Sequence, residues 1–178
     1  MKMIKLALLF WGGLLSLLSV ASAQDQNPMA RLLPQYISWA QEIDRQGLQK
    51  GMPLSKANLE LAADIGIQFP EKVRVVYVDS VPYPYEDPAL KAMGESLGLI
   101  GEGISNNAQV FGYSIYVRKG YKLDRPRMAH ELVHVLQVER SSFSEVVVQH
   151  IRDLANYDYR SAPLEVEAFK ANKKYAIK

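Results

Sequence analysis

From Pro28 to about Gln46, apolar residues recur at helical spacing. Leu32, Leu33, Tyr36, Ile37, Trp39, Ala40 and Ile43 share one side of a 3.6-residue period, and Gly47 reads as the end of that helix. Gly51, Met52 and Pro53 break the pattern. Ser55 then offers an N-cap to a second helix with Leu59, Ala62, Ala63 and Ile65 inward and Gly66 at its end. The period changes to two over 72–79 (KVRVVYVD), where β-branched residues predict a strand. Three prolines make 81–88 a loop, and Asp87 before Pro88 starts a short helix closed by Gly94 or Gly98. Residues 108–118 (AQVFGYSIYVR) predict a second strand region, a hairpin broken at Gly112.

The C-terminal third returns to helical spacing. Asp124 caps a helix to about Arg140 with Pro126 in its first turn, and another starts at 141–144 and runs to about Ala155. A tyrosine-rich connection at 156–162 leads to Pro163, which opens a last helix to about Ala176. Helices, then a small sheet, then helices predict an α+β fold. It is one mainly helical domain over 24–178, with N-terminal helices (24–66), a small sheet region (72–118) and a helical segment (124–176). No internal repeat or linker divides it.

Composition narrows this further. At 178 residues, 48% hydrophobic and 22% charged, the chain can bury one core, which excludes a wholly disordered chain or a coiled coil. With no cysteine, a disulfide scaffold, a thiolate zinc site and a cysteine nucleophile are excluded. The start of the chain reads as an address. Lys2 and Lys5 precede an apolar run over 6–20, and Ala21, Ser22 and Ala23 satisfy the small-x-small rule for signal peptidase. About 15 apolar residues fall short of the ~20 that span a bilayer. The expectation is a signal peptide over 1–23, an exported protein (periplasmic or secreted), and no membrane anchor after cleavage. Lys2 and Lys5 belong to that leader, so the 21 basic residues fall to 19 and balance the 19 acids. A nucleic-acid partner is not expected of so neutral a chain.

The chemistry lies in His130, Glu131, Leu132, Val133 and His134, an HExxH on a predicted helix. Spacing of i and i+4 stacks both imidazoles on one face, one turn apart, where two ring nitrogens can chelate one Zn²⁺. Glu131 lies about 60° round the helix from His134, placed to take a proton from a water without binding the metal. The surrounding residues Met128, Ala129, Leu132, Val133, Val135, Leu136 and Val138 are apolar nearly all round, as in a buried helix. Two histidines and a glutamate are costly there without a partner, and a cation satisfies all three.

Zinc needs a third protein ligand. No GxxH follows His134, so the metzincin extension is absent. Glu139 is too close on the same helix, and Glu145 is a further carboxylate candidate. Glu165 and Glu167 lie about 200° apart on the last helix and cannot both face one ion. Glu167 shares its face with Lys170 and Lys174, a solvated side, whereas Glu165 shares its face with Ala168, Phe169, Asn172 and Ala176. Glu165 is therefore the expected third ligand, with Glu167 and His150 as alternatives. Gln137, at i+7 from His130, is placed to hydrogen-bond a ligand.

HELVHVLQ followed by APLEVEA resembles the gluzincin class of zinc metallopeptidases. More narrowly, HELxHVxQ and PLExEA are similar to small bacterial zincin-like domains, over roughly 110–173. The resemblance implies a zincin-like domain with the small sheet beside the HExxH helix. It implies Glu165 as the ligand of an ExxA pattern, in agreement with the facial argument. In the fuller pattern an aspartate follows the alanine and orients a metal-bound histidine; here Phe169 stands in that place, so another group must orient it. The resemblance also implies a peptide or protein substrate laid antiparallel along the 110–118 strand edge. Tyr157, Tyr159 and Arg160 are placed to stabilise an oxyanion, although packing over the core accounts for the tyrosines more simply.

The expected function is an exported zinc-dependent metallopeptidase. In it His130, His134 and Glu165 hold Zn²⁺ and Glu131 is the general base. The alternative is a non-catalytic zinc-binding or zincin-shaped binding protein.

Overall fold

The computed structural model describes residues 28–176. The expected leader at 1–23 lies outside the described residues. Six α-helices and four strands are present among those described: α1 (Pro28–Lys50), β1 (Met52–Pro53), α2 (Lys56–Ile65), β2 (Arg74–Val78), α3 (Pro88–Ser96), β3 (Ala108–Phe111), β4 (Ser114–Arg118), α4 (Arg125–Arg140), α5 (Phe143–Asn156) and α6 (Pro163–Tyr175). The fold is mainly helical α+β, as the element order predicts. No helix among the described residues is long and apolar enough to cross a membrane.

The expected caps form. Ser55 accepts from the Asn58 amide, Asp87 from Ala89 and Leu90, and Asp124 from Arg127. Gly66 ends α2 in the left-handed region, with φ of 103°.

Gly47 does not end α1, which continues to Lys50. A Cβ at Gly47 would lie 2.5 Å from Ser114 Cβ, so this glycine lets the helix sit directly on the sheet. The same end of α1 grips the hairpin. Asp44 accepts from the amides of Tyr113 and Ser114 at 3.1 and 2.9 Å, and the Tyr116 hydroxyl donates to the Ile43 carbonyl.

The sheet is mixed, in the order β1-β2-β4-β3, with β2 and β4 parallel and the other pairs antiparallel. Strand alternation sends Val75, Ile115 and Val117 into a core with α2, α4 and α6. Val76, Phe111 and Tyr116 enter a second core with α1, α3 and Ile151 of α5. Helices therefore cover both faces of the sheet.

This topology corrects the expected open edge along 110–118. Gly112, with φ of 60°, folds that run into two strands at the position where type II′ hairpin turns place glycine. Ser114–Arg118 is then an interior strand, paired with β2 on one side and β3 on the other. Among the described residues, the free edge on this side of the sheet belongs to Ala108–Phe111.

Candidate metal centre

The site is made where α4 and α6 pack along each other. Asp124 and Pro126 start α4, and its interior is buried over almost every residue from Met128 to Gln137, His130 and Glu131 included. Pro163 starts α6 and puts Glu165 in its first turn, 3% exposed. The helices run antiparallel: Asn172 Nδ2 donates to the Pro126 carbonyl at one end, and Gln137 Nε2 to the Leu164 carbonyl at the other.

Those two amides orient the histidines. Each spends its NH₂ on a carbonyl, which leaves its oxygen to accept. His130 Nδ1–H donates to Asn172 Oδ1 at 2.8 Å, and His134 Nδ1–H donates to Gln137 Oε1 at 2.9 Å. Both Nε2 lone pairs then point inward. His134 Nε2 lies 3.2 Å from His130 Nε2. Glu165 places Oε2 at 3.3 Å from His130 and Oε1 at 3.5 Å from His134. A tetrahedral ion with donors at 2.0–2.1 Å requires donor separations of about 3.3 Å.

Three acceptors thus face one another, His130 and Glu165 buried and His134 half-buried, and among the described residues Glu165 Oε2 has no hydrogen-bond partner. Unpaired buried acceptors are costly, and a cation among them removes that cost. The group His130, His134 and Glu165 can hold a metal ion.

Two residues of α6 adjoin His130. The Phe169 ring packs 4.9 Å from the His130 ring, and Asn172 supplies the acceptor. In the sequence Asn172 is legible as a polar residue on the buried face of the last helix. Its partner, 42 positions away, is not. Exchanging Asn172 for Ala should cost about 10–100-fold in metal affinity, the range for outer hydrogen-bond partners of ligating histidines. Competition with a calibrated chelator measures this, and unchanged affinity would remove Asn172 from the site.

The other candidates have separate duties. Glu167 accepts from Gln137 Nε2 at 2.9 Å and pairs with Arg140 of α4, not with Lys170 or Lys174. Glu139 accepts from the Gln68 and Phe69 amides and the Tyr113 hydroxyl. Glu145 caps α5 with Ser142. His150 lines the same cavity as His130, His134 and Glu165 but does not join their cluster. Burial, opposed by the charge of Glu165, lowers its pKa.

Glu131 also lines the cavity, and no protein group among the described residues hydrogen-bonds its carboxylate. Burial raises its pKa against the pull of both histidines. Tyr159 packs edge-on to Phe169 at 6.1 Å, and burial with the facing charge of Glu165 keeps its hydroxyl neutral.

Burial works against a charge on His134, but hydrogen bonding and charge from Glu165 outweigh it and raise the pKa to about 9. Burial likewise opposes ionisation of Glu165, and both histidines overcome it and hold the carboxyl well below its ordinary value. The raised histidine contributes stability that is complete below 6.5 and lost as pH rises toward 9. The lowered carboxyl contributes stability present above 4.5 and lost in acid. Metal-free protein should therefore melt highest between about pH 5 and 6.5. Metal uptake near pH 7 should release about one proton. Calorimetry in buffers of different ionisation heat reads that number, and zero release would show the pair unprotonated.

The chain matches no protein-family model, no curated protein and no solved structure.

Proposed function

We propose that this chain is a zinc-dependent metallopeptidase of minimal gluzincin type, with His130, His134 and Glu165 as its metal ligands. The observation that supports this best is the convergence of two buried acceptors and a half-buried one at tetrahedral spacing on the wall of an open cavity, beside a free carboxylate. A donor set of two imidazoles and one carboxylate suits zinc. No fourth side chain among the described residues joins the group, which favours a reactive centre over a closed structural one.

The chemistry zinc supplies when bound is Lewis acidity, toward a water whose pKa falls to ~7 and toward a carbonyl oxygen. The residues of the chain do the rest. The Glu131 carboxylate, its basicity increased by burial, accepts a proton from water and later returns it to the departing amine. Asn172 and Gln137 hold both histidines in the tautomer that aims Nε2 at the ligand cluster.

The β3 edge gives the substrate a place. The Arg118 amide donates to the Asn107 carbonyl, so residues 107, 109 and 111 bond to β4. Ala108 and Val110 then point their N–H and C=O groups away from β4, and both residues line the cavity. An extended peptide pairing with them would lie beside α4. The expected leader at 1–23 supports action outside the cytoplasm.

The test is incubation of the zinc-loaded chain with a mixture of denatured proteins, with and without chelator. Metal-dependent new peptide ends are the expected result. Full zinc occupancy without any cleavage would replace this reading with a non-catalytic zinc-binding protein.

A further inference from the structure

We propose that a second pocket, walled by α1 and the proline-rich loop after β2, binds a small free quaternary ammonium compound of the choline type. None of the residues of the metal centre lines it, and the proposal is independent of the peptidase reading.

The sequence sets three prolines and two tyrosines within 81–88 (VPYPYEDP). Proline removes freedom from the unfolded chain, so such a loop keeps one shape at a low entropic cost. Backbone bonds hold that shape: the Tyr85 amide donates to the Tyr83 carbonyl at 2.8 Å, and the Asp87 amide to the Pro84 carbonyl at 3.2 Å. The Tyr83 hydroxyl donates to the Leu90 carbonyl at 2.8 Å, in space that a Cβ at Gly94 would fill. Tyr83 is buried and forms the floor of the pocket. Trp39 of α1 and Tyr85 flank it, with ring centroids at 6.1 and 5.6 Å from its own and planes inclined by 51° and 60°. Trp39 is fixed in turn by the rings of Tyr36 and Phe111. Trp39 is half-buried and Tyr85 is 48% exposed, so both keep ring surface for a ligand. The pocket holds about 530 Å³, within the roughly 300–1,000 Å³ of small-ligand sites.

The rest of the lining is Gln35, Pro84, Glu86, Asp87 and Leu90. Its charged groups are two carboxylates and no base, and among the described residues neither carboxylate pairs with a basic side chain. Carboxylates and aromatic faces attract the same sign of charge, so the pocket is complementary to a cation. A primary ammonium brings three N–H donors that need acceptors in exchange for water. Asp87 Oδ1 already accepts from the amides of Ala89 and Leu90, and Glu86 is exposed, with nothing to hold it in place. A quaternary ammonium has no donors, and its methyl groups can rest on the rings. A phosphate on the same ligand would meet Glu86 and Asp87 without a basic group to receive it, which disfavours a phospholipid headgroup and selects a free cation.

The experiment titrates the full chain with choline, with its neutral isostere 3,3-dimethylbutan-1-ol, with ethanolamine and with phosphocholine, by calorimetry at fixed ionic strength. Choline should bind at least about 10-fold tighter than each of the other three. Replacing Tyr85 by Leu keeps apolar bulk and removes the ring at an exposed position, so the melting temperature should not change. That variant should lose about 5-fold or more in choline affinity and hold the alcohol within a factor of about two. Glu86→Gln should weaken choline by about 2–5-fold, the range for an exposed charge. Choline binding no tighter than its neutral isostere overturns the proposal without recourse to any variant. So does a Tyr85→Leu protein of wild-type melting temperature that keeps the full affinity for choline. Phosphocholine that binds as tightly as choline overturns it too, by removing the charge argument. Neither zinc content nor peptide cleavage enters these readouts, so this proposal and the peptidase reading fail separately.

Discussion

Replacing Glu131 by Gln is expected to leave zinc in place and to slow peptide hydrolysis by about 10²–10⁴-fold, the usual contribution of a positioned general base. Glu131 is 7% exposed, outside the His130–His134–Glu165 cluster and, among the described residues, free of hydrogen bonds to protein groups. The amide has the same shape but cannot take a proton. The substitution removes a carboxyl that burial already pushes toward its neutral form, so the fold should tolerate it. Metal analysis and cleavage of a single reporter peptide, measured on the same preparation, decide the matter. A variant that turns over at the wild-type rate would take Glu131 out of the mechanism.

The second large effect concerns the third ligand. Glu165→Ala should abolish stoichiometric zinc binding, while Glu167→Ala should retain it. Glu165 supplies oxygens 3.3 and 3.5 Å from the two Nε2 atoms, whereas Glu167 binds Gln137 and Arg140. Loss of zinc also removes the stability that binding confers. With free metal at a thousand times Kd that is about 4 kcal/mol, or roughly 8–16 °C in melting temperature for a domain of this size. Elemental analysis with thermal melts, with and without added zinc, measures both. Zinc retained at one equivalent by Glu165→Ala would mean that another group completes the site. In Glu167→Ala, Gln137 keeps the Leu164 carbonyl and continues to orient His134.

Both expectations are partly legible in the order of the residues. Spacing of i and i+4 puts His130 and His134 on one face of any helix, and the apolar sequence around them makes that helix buried. The 200° between Glu165 and Glu167 makes Glu165 the inward carboxylate, and it lies with both histidines in the folded chain. Capping residues mark several helix starts for the same reason: a serine or aspartate side chain bonds amides two or three positions away, so its signal is local.

Other features of the sequence mislead or stay silent. Gly47 resembles a helix end, because glycine in a sequence does not reveal whether it supplies a turn or a close approach. Only the position of Ser114 shows that it is the latter. Gly112 marks the hairpin within 108–118, but which of its two strands is the free edge is not written there, because alternation tells which side chains are buried and nothing about which backbone groups already have partners. The short β1 strand is hidden in a glycine-proline break, its pairing with β2 being a matter of tertiary placement.

The sequence by itself determined which candidate metal-binding residues share a helix face. Helical period, capping and burial pattern act over a few residues and are written in consecutive positions. Tertiary structure alone decided that Asn172 and Gln137 turn the imidazoles inward, that β3 and not β4 offers a free edge, and that a cavity adjoins His130, His134 and Glu165. Each of these depends on how separate elements pack. A hydrogen bond across 42 residues, or a cavity walled by several elements, exists only when the burial of every other face has set the distances between them.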